Sequence, residues 1–422
     1  MTPAGRIPPA SWMTATETQA VIAALEKGGA ASRFVGGCVR DTVAERTVKD
    51  IDIATTAPPE RVVALLAAGG LGAIPTGIAH GTVTAVSGGR HFEVTTLRRD
   101  VETFGRRARV AFTDDWAADA ARRDFTINAL YLDPDGTLYD PTGGLEDLRR
   151  GRVRFVGSAR ARITEDVLRL LRFFRFHAFY GRGVPDRAAL AACRELAPLI
   201  KSLSAERVRA ELFRLLEAGD PASVLELMAS DRVLPHLLPE LKRFDQLAGL
   251  AAIEDKIGLP RDPLRRLAAA LRTTAEGAAR IARRLRCSNR ERDRLVALAA
   301  GGMRPNPALD TKARRRMLYA LGAPLFRDRA LIAWAAERAA RKASARKRAA
   351  PWRKLLADAD HWRRPALPVG GRDVAALGVA QGKDVGRLLG LVERWWIGRD
   401  FVPGRRECLA RLAQLAGKSK GR

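Results

Sequence analysis

Phe34-Val35-Gly36-Gly37-Cys38-Val39-Arg40-Asp41 is followed, seven residues on, by Lys49-Asp50-Ile51-Asp52-Ile53-Ala54. The first stretch reads as the end of a strand, a Gly-Gly turn and the start of a helix over 39–45. The second reads as a short strand in which side chains alternate, so Asp50 and Asp52 share one face while Ile51 and Ile53 bury on the other. Two neighbouring carboxylates repel each other unless a cation sits between them. A hard, oxygen-liganded ion such as Mg²⁺ suits that position. Gly36 and Gly37, ahead of a helix, allow close backbone approach and offer N–H groups to phosphate oxygens, with Arg40 available to neutralise them. Taken singly, a Gly-Gly pair also reads as an ordinary turn, and Asp-X-Asp as a solvated strand end.

Outward from this centre the pattern stays mixed. Helices are expected over 16–26 and 60–68, and strands over 81–86 and 92–97, which gives a small mixed sheet with helices on one side. In His91-Phe92-Glu93-Val94, Glu93 faces away from its apolar neighbours. If that strand lies beside the first, Glu93 converges on Asp50 and Asp52, the minimal set for a two-metal site. Arg122-Arg123-Asp124-Phe125-Thr126-Ile127-Asn128-Ala129 is expected to pack Phe125, Ile127 and Ala129. That leaves Arg123 and Asp124 to face the site and Asn128 to tie the backbone. The alternative is a surface Arg–Asp pair beside a buried strand.

From Thr164 onward strand signals fade and helical spacing replaces them, as in Val208, Leu212, Leu215 and Leu216 after Ser204, a residue type that caps helices. In Glu165 to Phe176, Asp166, Arg169, Arg172 and Arg175 recur every third residue, a row drifting round a helix. Asp and Arg together present an acceptor and a donor. Cytosine shows its N4 amine beside N3 and adenine its N6 amine beside N1, so one such pair reads both and rejects G and U. The plainer alternative is an ion pair from Glu165 or Asp166 to Arg169. The further arginines, lacking matched acids, favour a nucleotide phosphate or an RNA backbone.

The chain has 422 residues and a formal net charge of +27. Residues 1–150 carry 17 basic and 19 acidic side chains, and the remainder 57 and 28, so the excess lies in the rear. A near-neutral front and a cationic rear suit chemistry in one part and a polyanion on the other, nucleic acid foremost. A basic surface of purely compositional origin is the alternative. Residues 338–364 are dense in Arg and Lys and include Trp352 and Trp362, which reads as a solvated face or an RNA contact. Cys38, Cys193, Cys287 and Cys408 lack metal-ligand spacing and point to a reducing compartment. The N-terminal segment lacks a signal-like apolar core, and no apolar run approaches ~18 residues, so a cytoplasmic protein without a membrane partner is expected.

Together these stretches resemble the class II tRNA nucleotidyltransferase (CCA-adding enzyme) and bacterial poly(A) polymerase family. Further pieces of the resemblance are Pro75 to Val83, Glu93 to Arg98, Asp140 to Leu148, Leu203 to Leu212 and Val369 to Leu389. It implies an α+β nucleotidyltransferase head over 1–150, a helical neck carrying the templating helix over 151–220, and a basic, RNA-binding helical body and tail over 221–422. It implies that Asp50 and Asp52 hold Mg²⁺, that Gly37, Arg40 and Arg123 contact the incoming nucleotide, and that Asp166 and Arg169 template the base with help from Arg172 and Arg175. Addition of C, C and A to tRNA from CTP and ATP is the expected activity. The alternatives are a polymerase adding A only, an enzyme adding only CC or only A, and a non-catalytic RNA binder on the same scaffold. Phe104 to Val110, in the region between Leu97 and Trp116 where family members switch from C to A, departs from the family pattern. No His-Asp phosphohydrolase motif is visible, so an added phosphatase domain is not expected.

Overall fold

A computed structural model describes residues 1–104, 107–340 and 349–420. The chain divides into two compact units, Met1–Pro239 and Glu240–Arg422.

The first unit is built on an eight-stranded sheet. Its strands are β1 (Pro3–Arg6), β2 (Ser32–Val35), β3 (Ile51–Thr55), β4 (Gly72–Gly77), β5 (Thr82–Ser87), β6 (Arg90–Thr96), β9 (Tyr131–Leu132) and β10 (Thr137–Tyr139). They run in the order β1-β10-β9-β2-β3-β6-β5-β4. The pair β3 and β6 is parallel, while β2 and β5 run antiparallel to their neighbours β3 and β6. A separate two-stranded antiparallel sheet is formed by β7 (Arg98–Phe104) and β8 (Arg107–Phe112). The segment from Phe104 to Val110 thus belongs to paired strands, and its residues 105 and 106 lie outside the described residues.

Alternation along the central strands sorts the sheet into two faces. Phe34, Ile51, Ile53, Phe92 and Val94 join one apolar cluster with Val21, Ile22 and Leu25 of α1 (Thr16–Glu26), Cys38 and Val39 of α2 (Gly37–Val43), and Val62 and Leu66 of α3 (Pro59–Ala68). Each of these fully buried aliphatic or aromatic side chains contributes about 1.5–3 kcal/mol. Val35, Ala54, Ala129 and Tyr131 pack on the other face with Leu97 and Ala120. Asp52, between Ile51 and Ile53, stands on this second face, as the alternation requires.

Helices follow the head. The amphipathic α4 (Leu168–Tyr180) buries Leu170, Leu171, Phe173 and Phe174, and packs against α5 (Ala205–Leu216), which buries Val208, Leu212, Leu215 and Leu216 at the expected spacing. Ser204 stands at the N-cap of α5, but its side chain makes no capping hydrogen bond. The helices over Pro221–Ser230 and Leu234–Leu237 belong to this first unit.

The second unit is all helical among its described residues. One of its apolar clusters centres on Phe326, Leu331, Trp334 and Trp352, and another on Tyr319, Leu388, Val392, Trp396 and Leu412. Trp352 stacks on Trp334 at a centroid distance of 6.2 Å and donates its Nε1–H to Glu337. Trp362 packs edge-on against Phe401. Trp352 is therefore a core residue and Trp362 a half-buried one packed against the core, and residues 341–348 of that segment lie outside the described residues. A buried charge cluster in this unit joins Glu254 to Arg265 and Arg266 at 2.6 Å each, and Arg265 and Arg294 to Asp328.

Candidate active site

The parallel register of β3 and β6 sets Asp52 directly opposite Glu93. Asp50 immediately precedes β3. Burial first, then the charge of Glu93, and also that of Asp50, push the Asp52 carboxyl up to about 6, with Arg123 and Arg40 pulling the other way. The two strands lie side by side as expected, and the charges of Glu93 and Asp50 both act on Asp52. Among the described residues no group of three or more His, Cys, Asp and Glu side chains encloses a metal position. A pair of carboxylates with open sides fits Mg²⁺, which is usually held by one or two carboxylates together with substrate phosphates.

The Gly-Gly turn sits against these acids. Gly36 adopts φ 72°, ψ −119°, a backbone conformation reserved for glycine. A Cβ built on it would lie 3.6 Å from Arg123 Nη1 and 3.9 Å from Asp52 Oδ2, and one on Gly37 would lie 3.8 Å from Arg40 Nη2. A side chain at either glycine would therefore touch the groups that border the turn, Asp52 and Arg123 at Gly36 and Arg40 and Asp52 at Gly37. The N–H of Gly36 is already donated to the Leu130 carbonyl at 3.2 Å, which takes it out of the set of donors the turn could offer a phosphate.

The arginines are far more engaged than their sequence suggests. Arg40 is buried; it pairs with Asp41 through Nε and Nη2 at 3.0 Å each, and Nη1 donates to Asn128 Oδ1 at 2.6 Å. Its charge is compensated locally, so it holds the turn and biases Asp52 instead of standing free for phosphate. Arg123 donates Nε and Nη2 to Asp119 Oδ2 at 3.1 and 2.9 Å, and Nε to the Tyr131 hydroxyl at 3.2 Å. Tyr131 in turn donates to Asp119 at 2.7 Å. Only Arg123 Nη1 remains aimed at the Gly36 turn.

Asp124 does not open onto a ligand. It accepts from Arg172 Nε at 2.8 Å, Asn128 Nδ2 at 3.0 Å and the Phe125 N–H at 2.8 Å. Burial would raise its carboxyl, but Arg172 and these donors hold it down near 2. Asn128 ties side chains to each other, Arg40 to Asp124, and not backbone. On α4, Arg172 and Arg175 do have matching acids, contributed by distant parts of the chain. Arg172 has Asp124 and, at 3.9 Å, Glu211; Arg175 Nε donates to Glu211 Oε2 at 2.6 Å. Phe176 lies beneath three guanidinium groups, those of Arg175, Arg40 and Arg172, at 4.3, 5.1 and 5.4 Å. These arginines are held by ion pairs and ring contacts within the first unit.

Asp166 lies two residues before α4, in extended backbone, so the row of four does not continue unbroken onto the helix. Its Oδ1 accepts from the Leu168 N–H at 3.1 Å and its Oδ2 from Arg207 Nη2 at 2.7 Å. Arg169 pairs with Glu165 at 2.5 Å, the plainer alternative, and also donates to the carbonyls of Arg162 and Arg122. Sequence reading missed Asp119, Tyr131, Arg207 and Glu211. The last two stand four residues apart, on one face of α5, which was the only available signal.

A sheet that sets Asp52 opposite Glu93 beside a glycine turn, followed by a helical segment that carries Asp166 just ahead of its helix and Arg169 within it, is the arrangement of a nucleotidyltransferase. The poly A polymerase head domain model matches residues 32–154, and a model described as the probable RNA and SrmB-binding site of polymerase A matches residues 185–245. The mitochondrial CCA tRNA nucleotidyltransferase 1 of Danio rerio is 35% identical over 401 residues, covering 90% of this chain and 87% of its own. That of Homo sapiens is 34% identical over 384 residues, covering 86% and 82%. The Bacillus stearothermophilus CCA-adding enzyme, solved in complex with CTP, superposes with a TM-score of 0.73 at 27% identity, covering 96% of this chain and 98% of that one. The chain belongs to the class II CCA-adding enzyme and poly(A) polymerase family.

Proposed function

We propose that this chain is a CCA tRNA nucleotidyltransferase, extending the 3′ end of tRNA with C, C and A from CTP and ATP and releasing pyrophosphate. The observation that carries the chemistry is Asp52 opposite Glu93 against the Gly36-Gly37 turn. Asp50 and Asp52 would hold Mg²⁺, which when bound offsets negative charge and makes the 3′-hydroxyl a better nucleophile. Glu93 adds negative charge to the same face and strengthens its demand for a cation.

Around that centre the chain's own groups bind and orient. Arg123, braced by Asp119 and Tyr131, directs Nη1 at the turn where a triphosphate would lie. Arg40, Asn128 and Asp124 hold the turn in register with α4. Asp166 accepts the amine of C or A while Arg169 donates to the adjacent ring nitrogen. G and U present a carbonyl and an N–H in the reverse order and are refused. The positive excess beyond residue 150 is the expected seat of tRNA.

No described helix is long and apolar enough to cross a membrane. The four cysteines are free, which supports a reducing compartment, and the cytoplasm is our reading; the zebrafish and human relatives are named as mitochondrial. The test is extension of tRNA lacking CCA with each nucleotide supplied separately. Incorporation of labelled CTP is the expected result, and an enzyme that adds A alone would leave CTP unused.

A further inference from the structure

The base-reading acceptor is not free to turn. Asp166 sits in extended backbone between two helices, where a carboxylate has no helical turn to restrain it. Two contacts fix it, the Leu168 N–H on Oδ1 and the Arg207 guanidinium on Oδ2. Both partners of this ion pair are part-buried, at 27% and 22% side-chain exposure. Each carboxylate oxygen accepts two hydrogen bonds, so one lone pair on each remains for a base amine. Glu165 braces the donor Arg169 in the same manner at 2.5 Å. Arg207 stands on α5 one turn from Glu211, and Glu211 holds Arg175, so one face of α5 grips both ends of the reading segment.

We propose that Arg207 is a positioning residue that sets nucleotide specificity by holding the Asp166 carboxylate in the orientation that accepts an amine. This rests on the reading of Asp166 and Arg169 as the base-selecting pair. Arg207 touches neither substrate nor reacting atoms, and acts through Asp166. Without it, Asp166 keeps one anchor and can rotate out of the base plane. Discrimination then falls, because rejection of U and G depends on a rigid acceptor facing their carbonyl.

The test is kcat and KM for CTP and UTP on tRNA lacking CCA, for wild type, R207A, R207K, D166N and D166N/R207A, with thermal unfolding recorded for each. R207A is expected to lose about tenfold or more in the CTP-to-UTP ratio of kcat/KM, chiefly through KM for CTP. R207K, which can make the single contact seen, should recover most of that ratio. The double variant should be no worse than D166N, since the two residues act as one unit. A CTP-to-UTP ratio unchanged in R207A, a lysine no better than alanine, or multiplicative losses in the double variant would each overturn the proposal, even where R207A is less stable. A wild-type enzyme that takes no CTP would instead bring down the function itself, and the proposal with it.

Discussion

Asn128 joins two arginines that lie 132 positions apart in the chain: its Oδ1 accepts from Arg40 Nη1 at 2.6 Å, and its Nδ2 donates to Asp124, the partner of Arg172. The carboxamide is the one neutral link in a run of charges from Asp41 to Glu211, and it satisfies a donor at one end and an acceptor at the other. N128A leaves both neighbours with an unmet hydrogen bond in a largely buried place, so a loss of about 1–3 kcal/mol is expected. Urea unfolding of the full chain would show it as a lower midpoint at unchanged slope. Nucleotide KM should rise as well, because Arg40 lines the Gly37 turn.

Acid stability should report on Asp119. Burial would raise this carboxyl, but Arg123, Arg122 and the Tyr131 hydroxyl overcome it and hold it at about 2. A depressed folded value contributes stability above the ordinary carboxyl range, lost as pH falls from about 4 towards 2. The contribution is on the order of 2 kcal/mol. D119N should lower stability at neutral pH, since it leaves Arg123 poorly paired, and flatten the acid limb. An acid limb as steep in D119N as in wild type would reject the assignment.

Gly36→Ala forces a side chain into φ 72°, ψ −119°. The strain costs about 1–3 kcal/mol. The new Cβ also meets Arg123 Nη1 and Asp52, so the nucleotide KM should rise well beyond what the stability loss explains. Equal KM values would show that the turn does not border the triphosphate.

Much of the head could be read from residue order alone. Strict alternation at Ile51, Asp52, Ile53 and at Phe92, Glu93, Val94 announced both strands and the face their acids share, because one side of the sheet is covered by α1 and α3. β1 left no trace, since Pro3–Arg6 is an exposed edge strand with no buried face to pattern. The arginine partners were equally hidden. Arg172 looked unmatched because Asp124 and Glu211 lie 48 and 39 residues away, and only the fold brings them together. The segment with Trp352 and Trp362 read as a solvated face or an RNA contact because basic neighbours surround them, yet an indole buried against Trp334 or half-buried against Phe401 leaves the same local sequence.

Binding of tRNA should weaken steeply between 50 and 200 mM salt, by about 10³–10⁵ if 6–10 phosphates are contacted. Filter binding or anisotropy with wild type and D50A would measure it. D50A should bind tRNA with the same affinity and slope while transferring no nucleotide. A flat salt response would mean that the positive excess is compositional, and full activity in D50A would remove Asp50 from the metal site.

CCA addition is read most directly from the 3′-end sequence of a tRNA lacking CCA after incubation with the wild-type protein, Mg²⁺ and all four nucleoside triphosphates. C, C and A are expected to be added in that order, addition is then expected to stop, and G and U are expected to be absent. A run of A, a mixed tail, or an unextended 3′ end would contradict it.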